Sequence, residues 1–178
     1  MRKLTFGGAN SLDNYFARQN DAVDWLMWTD EVGEIMTEYW KNIDTILMGR
    51  RTYEVALKQS KGKRKRNPFS GMKSYVFSRT LPQDKNGSVE IISEDAAVFV
   101  RNLKNQEGKD ICLMGGGNFA KTLFEAKLID EIGFNVHPVL LGSGIPLFYE
   151  MKEQINLDLI KCQPLKNGCV VLSYRVKN

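Results

Sequence analysis

The sequence is poor in the residues from which many catalytic and metal sites are built. It contains one histidine, His137, and only three cysteines among its 178 residues. The cysteines, Cys112, Cys162 and Cys169, show no CxxC spacing. These counts argue against a zinc site, a disulfide framework and the usual histidine-based catalytic triads. We therefore expect no metal site and a protein whose cysteines are reduced.

Long apolar runs are also missing. No apolar stretch approaches the roughly 20 residues that are needed to span a bilayer. The opening residues, MRKLTFGGANSLDNYF, lack the apolar core of a secretory signal. The composition, with 43% hydrophobic and 26% charged residues, is that of an ordinary globular protein. We expect a cytoplasmic protein with no membrane partner and a single domain over residues 1–178.

The positive charge is concentrated in one segment. The net charge is +4, and the segment KGKRKR alone contains the basic residues Lys61, Lys63, Arg64, Lys65 and Arg66. Such a run could bind nucleic-acid phosphates. Because no aromatic residue lies within it to stack on bases, a solvated loop is the favoured interpretation. We expect no nucleic-acid partner.

Strand and helix patterns alternate along most of the chain. Alternating apolar residues predict strands over residues 2–9, 44–49, 73–78, 88–93 and 110–115, and one more within 130–142. Helical spacing of apolar residues predicts helices over 30–40, with Asp30 as the N-cap, 50–59, 94–106 and 117–124. The last segment, 156–176, reads as a hairpin that turns at Asn167 and Gly168. This order predicts an α/β fold with a largely parallel sheet and antiparallel strands at one edge.

Two of the predicted strand-to-helix turns have unusual chemistry. In open α/β sheets, ligands bind where strands end and helices begin, because helix N-termini present free N–H groups. The first turn lies in LMGRRTYE, where two arginines at a helix start disfavour the helix unless an anion binds there. The alternative is that both arginines lie in solvent or pair with Glu54 and Asp44. The candidate anion-binding residues are Gly49, Arg50, Arg51 and Thr52.

The second turn, LMGGGNFAKTLF, holds three consecutive glycines. Gly115, Gly117 and Ala120 satisfy the G-x-G-x-x-A pattern of dinucleotide-binding turns. However, the turn does not follow the first strand, and no acidic residue ends the next strand, as ribose binding would require. A tight structural turn therefore remains an alternative.

The end of a third predicted strand provides further candidate binding residues. The strand in YVFSR ends with Ser78 and Arg79. A hydroxyl and a guanidinium at one strand edge could hold the 2′-phosphate that distinguishes NADPH from NADH. Taken alone, a serine next to an arginine is common on protein surfaces.

In order and spacing, TILMGRRTYE, YVFSR and LMGGGNFAKTLF resemble the dihydrofolate reductase fold family. The match is closest to the branch that includes the reductase domain of bacterial riboflavin biosynthesis and its stand-alone relatives. Two further segments resemble motifs of that branch: SLDNYFA (residues 11–17) is similar to S-L-D-G-x-x-A, and HPVLLGSGIPLF (residues 137–148) is similar to P-x-x-L-G-x-G. The branch has glycine where this chain has Asn14, a residue that tolerates the same turn but adds a side chain.

The resemblance implies a three-layer fold with a mixed, mainly parallel sheet of about eight strands. It also implies NADPH as the cofactor and hydride transfer to a small heterocyclic or imine or carbonyl substrate. Such activity is similar to that of 5-amino-6-(5-phosphoribosylamino)uracil reductase or dihydrofolate reductase. The alternative is a non-catalytic NADP(H)-binding sensor or scaffold. Relatives of this fold often pair, so we expect a homodimer.

The resemblance also implies roles for individual residues. Asp13 matches the acidic residue on the substrate side, which would relay a proton or stabilise positive charge; the alternative is a loop aspartate that caps a turn. The implied substrate-binding residues are Leu12, Asn14, Trp25 and Glu34. Glu38 is a second acidic candidate beside Glu34, and Trp28 could flank a planar substrate, although tryptophans are more often core residues. The implied cofactor-binding residues are Gly49, Arg50, Arg51, Thr52, Ser78, Arg79, Met114, Gly115, Gly116, Gly117, Asn118 and Phe119.

Overall fold

A computed structural model describes residues 1–60, 71–84 and 89–177. The basic segment at residues 61–66 lies outside the described residues, so the interpretation as a solvated loop stays a prediction. The strands are β1 (Leu4–Ser11), β2 (Tyr15–Ala17), β3 (Ile43–Gly49), β4 (Lys73–Phe77), β5 (Glu90–Ile92), β6 (Asp110–Leu113), β7 (Glu131–His137), β8 (Ile145–Pro146), β9 (Leu157–Pro164) and β10 (Val170–Val176). The helices are α1 (Asp30–Trp40), α2 (Arg50–Ser60), α3 (Ala96–Lys104) and α4 (Gly117–Glu125).

Eight of these strands form one sheet in the order β5-β4-β3-β6-β1-β7-β10-β9. Neighbouring strands from β5 to β7 are parallel, whereas β10 runs antiparallel to both β7 and β9. The predicted α/β fold, with its parallel sheet and its antiparallel hairpin at one edge, is therefore confirmed. The second sheet, in which β2 pairs with β8, was not predicted, since three and two residues are too few to show a pattern.

The helices cover both faces of the sheet because the strands alternate their apolar side chains. Leu47 and Leu113 pack on one side in a cluster that includes residues of α3 and α4. Ile46 and Met48 point to the opposite side, where they pack with Trp40 of α1 and with a tyrosine of α2. This places two helical layers around one sheet, as the resemblance implied.

The helix termini differ slightly from the prediction. Thr29, and not Asp30, caps α1, because the Thr29 hydroxyl accepts a hydrogen bond from the Val32 amide at 3.3 Å. Asp30 is instead the first helical residue, where its negative charge favours the helix dipole. Likewise, α3 is shorter than predicted, since Asp95 caps it by accepting a bond from the Val98 amide at 2.9 Å.

Charged groups hold the amino-terminal ends of the strands together. The buried Arg2 guanidinium donates to the Asp44 carboxylate and, at 2.6 Å, to the Thr45 hydroxyl. Burial raises the pKa of Asp44, but the bond from Thr45, the amide of Lys109 and the charge of Arg2 outweigh it and leave this pKa below its usual range. Because Asp44 is bound at this end of the sheet, it cannot pair with the arginines that follow the opposite end of β3. Within the described residues, no helix is long and apolar enough to cross a membrane.

Candidate active site

A cleft of about 760 Å³ runs across the carboxyl ends of the neighbouring parallel strands β3, β4, β5 and β6. The loop around β2 forms one wall with Phe16, Ala17 and Asp21, and the segment before α3 forms another with Glu94 and Asp95. All of the predicted cofactor-binding residues line this one cleft: Gly49, Arg50, Arg51, Thr52, Ser78, Arg79, Met114, Gly115, Gly116, Gly117, Asn118 and Phe119. Their convergence is an observation; their binding of a cofactor stays a prediction.

The glycine turn is attached to the end of β3 by backbone hydrogen bonds. The Met114 amide donates to the Leu47 carbonyl at 3.0 Å, and the Gly49 amide donates to the Gly115 carbonyl at 3.1 Å. These bonds bring the start of α2 and the start of α4 side by side. Gly116 is the N-cap residue of α4 and provides no side chain to cap it, and no other described side chain caps this helix. Gly116, Gly117 and Asn118, at the start of α4, line the cleft.

The three consecutive glycines differ in what surrounds them. Gly115 has a φ of 120°, which L side chains rarely adopt. A Cβ atom on Gly117 would lie 2.3 Å from the Leu147 carbonyl oxygen, so close packing excludes a side chain there. A Cβ atom on Gly116, by contrast, would have only the Thr52 hydroxyl near it among the described residues, at 3.7 Å. The protein itself therefore leaves room above Gly116, on the side of the cleft.

Arg50 links α2 to the turn that follows β4. Its Nε atom donates to Glu54 at 2.7 Å, and another guanidinium nitrogen donates to the Thr80 hydroxyl at 2.6 Å. The Ser78 hydroxyl oxygen accepts the amides of Thr80 at 3.2 Å and Leu81 at 3.1 Å. Arg50, Ser78 and Thr80 thus form one cluster of polar groups beside Arg79. Thr80 was missed at the sequence level, although it directly follows the two residues that were singled out.

Arg51 points to the other side of the cleft. Two of its guanidinium nitrogens, Nε and Nη2, donate to one oxygen of Asp21, at 3.1 and 2.8 Å. The alternative to anion binding was pairing of the two arginines with Glu54 and Asp44. Arg50 does pair with Glu54, but Arg51 pairs with Asp21 and not with Asp44. No local pattern pointed to Asp21, because it lies 30 residues before its partner.

Asp13 binds a backbone loop. Its two carboxylate oxygens accept the amides of Leu141 at 3.1 Å and Gly142 at 2.8 Å. A hydrogen bond from Ser11, together with these two amides, keeps the pKa of Asp13 below its ordinary value. The carboxyl is therefore ionised at neutral pH and is a poor proton donor, which favours stabilisation of positive charge over proton relay among its two predicted roles. Asp13 is not among the described residues that line the cleft.

The predicted substrate-binding residues are spread over a wider region. Leu12 is exposed, and the backbone of Asn14 has the positive φ, 62°, that the family glycine would adopt. Glu34 and Glu38 are exposed on α1, Trp28 is exposed in the preceding loop, and Trp25 is buried with its ring edge-on to His137 at 5.2 Å. None of these residues belongs to the described lining of the cleft, so their roles stay predictions.

His137 takes no part in the cleft. It is buried, with Nδ1 3.4 Å from the Cys169 sulfur and Nε2 3.3 Å from the Asn135 amide nitrogen. Burial lowers the pKa of His137, so the imidazole is neutral at physiological pH. It packs against Trp25 as part of the protein interior.

Comparisons with known proteins agree with this geometry. A model of the RibD C-terminal domain matches residues 2–171. The chain is 32% identical to the uncharacterized protein YyaP of Bacillus subtilis over an alignment that covers 97% of this chain and 94% of that protein. A putative riboflavin biosynthesis protein from Shewanella sp. PV-4 has a similar structure, with a TM-score of 0.85, 25% identity and full coverage of both chains. Dihydrofolate reductase from Enterococcus faecalis, solved with NADP(H), gives a TM-score of 0.68 at 16% identity over 99% of this chain and 97% of that chain.

Proposed function

Since the chain belongs to the RibD C-terminal domain family, we propose that it is an NADPH-dependent reductase that transfers a hydride to a small heterocyclic, imine or carbonyl substrate. The observation that carries this proposal is the cleft at the carboxyl ends of β3 to β6. There, the N-termini of α2 and α4, three arginines (Arg50, Arg51 and Arg79) and an open glycine position come together. This is the combination that a dinucleotide with a pyrophosphate requires.

The residues of the cleft suggest where each part of the cofactor would lie. The first turn of α2 and the start of α4 lie side by side, with the Thr52 hydroxyl beside Gly116, so their amides would hold the pyrophosphate. The cluster of Arg50, Ser78 and Thr80, with Arg79 next to it, would hold the 2′-phosphate. The room above Gly116 fits a flat group that lies against the backbone.

The protein itself would contribute to the reaction by positioning the cofactor and the substrate. NADPH supplies the hydride when it is bound, and the chain has to hold the two reacting rings together and exclude water. Asp13 would keep a negative charge on the substrate side, through a carboxylate that also holds the loop at Leu141 and Gly142 in place. The identity of the substrate, the predicted homodimer and the cytoplasmic location stay predictions.

We expect the protein to bind NADPH at least about tenfold more tightly than NADH, because only NADPH carries the phosphate that Arg50, Ser78 and Thr80 can bind. Isothermal titration with each cofactor measures the ratio. In a Ser78→Ala, Thr80→Ala variant, the ratio should fall toward one, since NADPH affinity drops while NADH affinity stays the same. Equal affinities in the wild-type protein would contradict the assignment of the 2′-phosphate.

Replacing Asp13 by asparagine tests whether the protein is an enzyme or a binding protein. We expect at least about a tenfold loss of turnover, because the variant loses the negative charge and places an amide NH₂ against a backbone N–H. NADPH affinity should change less than about twofold, since Asp13 lies outside the cleft lining. Single-turnover oxidation of bound NADPH, followed by absorbance with candidate imines and carbonyls, provides the measurement. Unchanged turnover would remove Asp13 from the mechanism.

A further inference from the structure

Asp21 is placed over the start of α2 by a tight turn. The Asp21 amide donates to the Arg18 carbonyl at 3.0 Å, the Arg18 amide donates to the Ala22 carbonyl at 2.9 Å, and Asp21 has a φ of 66°. This turn directs the Asp21 carboxylate to Arg51, which it meets at 2.8 and 3.1 Å. The contact joins the loop after β2 to the first turn of α2 across one side of the cleft.

The position of Arg51 explains why it needs an anion. Its charge adds to the positive end of the α2 dipole, and the first turn of α2 contains no acidic residue. Arg50, its neighbour, finds a carboxylate on the same helix, one turn further on. Arg51 instead takes the Asp21 carboxylate from a separate loop, so this anion can leave without any change in the helix.

The pair of Asp21 and Arg51 lies at the place where a cofactor phosphate would bind. Both residues line the cleft, and Thr52, the residue after Arg51, has its hydroxyl beside Gly115 and Gly116. We propose that Asp21 competes with the pyrophosphate of the cofactor for Arg51 and thereby limits the affinity of the cleft for dinucleotides. This inference rests on the proposed function and adds a residue that sets cofactor affinity.

The solvent exposure of the Asp21–Arg51 pair and the charge of a pyrophosphate explain why each anion can replace the other at Arg51. The Arg51 side chain is 60% exposed and the Asp21 side chain is 30% exposed, and ion pairs that reach solvent are weak. A pyrophosphate brings two negative charges and accepts several hydrogen bonds at once, so it displaces a single carboxylate. The displaced Asp21 then leaves a negative charge near the bound phosphates, which lowers affinity further.

An Asp21→Asn variant tests this competition directly. Asparagine tolerates positive φ as well as aspartate does, so the turn is retained while the charge is removed. We expect the dissociation constants of NADPH and NADH to fall by the same factor, about twofold to fivefold, because both dinucleotides carry the pyrophosphate. The gain should shrink as ionic strength rises, since the pair is exposed.

Asp24→Asn provides the matched control. Asp24 lies in the same loop and pairs with Arg18 at 2.7 Å, but it is not among the described residues lining the cleft. This variant should bind both dinucleotides as the wild type does. Equal effects of the two substitutions would show a general effect of net charge and would overturn the role of Asp21. Weaker binding by Asp21→Asn would also overturn it, because Asp21 would then contact the cofactor favourably.

Inorganic pyrophosphate separates this inference from the proposed function. If the wild-type protein binds neither NADPH nor NADH, the proposed function fails, and titration with pyrophosphate still tests Asp21. The Asp21→Asn variant should then bind pyrophosphate at least about twofold more tightly than the wild type, because free pyrophosphate carries more negative charge than the esterified group of a dinucleotide. Equal pyrophosphate affinity, or no binding of any of the three probes by either protein, overturns the competition.

Discussion

A Gly116→Val variant is expected to fold as the wild type does and to bind NADPH at least about 100-fold more weakly. The backbone of Gly116 is extended, with φ −87° and ψ 172°, and the Thr52 hydroxyl at 3.7 Å is the only described atom near the added Cβ. The protein therefore has room for the added Cβ atom. The isopropyl group would instead occupy the part of the cleft where we place the cofactor, and it would push the phosphates away from the start of α4.

Titration with NADPH measures the affinity of the Gly116→Val variant, and urea denaturation of the same preparation measures its stability. Gly33→Val is the control for a glycine replaced in open surroundings. In the part of the chain that the structure describes, nothing lies within 4 Å of a Cβ atom on Gly33, and the residue lies on α1, outside the cleft lining. That variant should keep its NADPH affinity. If Gly116→Val also binds NADPH normally, the cofactor does not lie against Gly116, and the glycine turn has only a structural role.

The second large effect is expected at Gly117, where a substitution should reduce the stability of the fold. A Gly117→Ala variant should lose about 3 kcal/mol of unfolding free energy, because an added Cβ atom would lie 2.3 Å from the Leu147 carbonyl oxygen and 3.0 Å from that of Pro146. Both neighbours are backbone atoms, so a side-chain rotation cannot relieve the contact. The start of α4 or the segment around β8 has to move.

Urea denaturation measures this loss, with Gly116→Ala as the matched control. The control adds the same methyl group at the neighbouring position, where the surroundings are open, and should change the unfolding free energy by less than about 0.5 kcal/mol. A Gly117→Ala variant as stable as this control would show that α4 does not pack tightly against Leu147. The pair of alanine variants thus separates the glycine needed for packing from the glycine proposed for binding.

The sequence predicted those features that depend on neighbouring residues. The alternation in β3, the helical spacing in α2 and the glycine turn between β6 and α4 are local patterns, and they pointed to residues 49–52 and to the glycine turn. Met114, Asn118 and Phe119 were added only by the family resemblance. The match to the RibD C-terminal domain over residues 2–171 confirms the family resemblance. That resemblance predicted that these separate segments form one binding site.

The features that were missed depend on contacts between distant segments. Asp21 meets Arg51 across 30 residues, and Arg50 meets Thr80 across 30 residues. Gly117 has to be glycine because it packs against the backbone of Leu147. The hydrogen-bond partners of Asp13 lie in a loop more than 120 residues away. Pattern reading assigns a residue to an element, but it does not show which other element that residue will touch. Pairing of the arginines therefore remained an open alternative until the structure was known.

A crystal structure of the protein with NADPH tests the central claim most directly. We expect the pyrophosphate to lie between the first turn of α2 and Gly116, in contact with Arg51, and the 2′-phosphate to contact Arg50, Ser78 and Thr80. The Asp21 carboxylate should then have moved away from Arg51. A cofactor bound outside the cleft of β3 to β6, or a cleft that stays empty at saturating NADPH, would contradict the account.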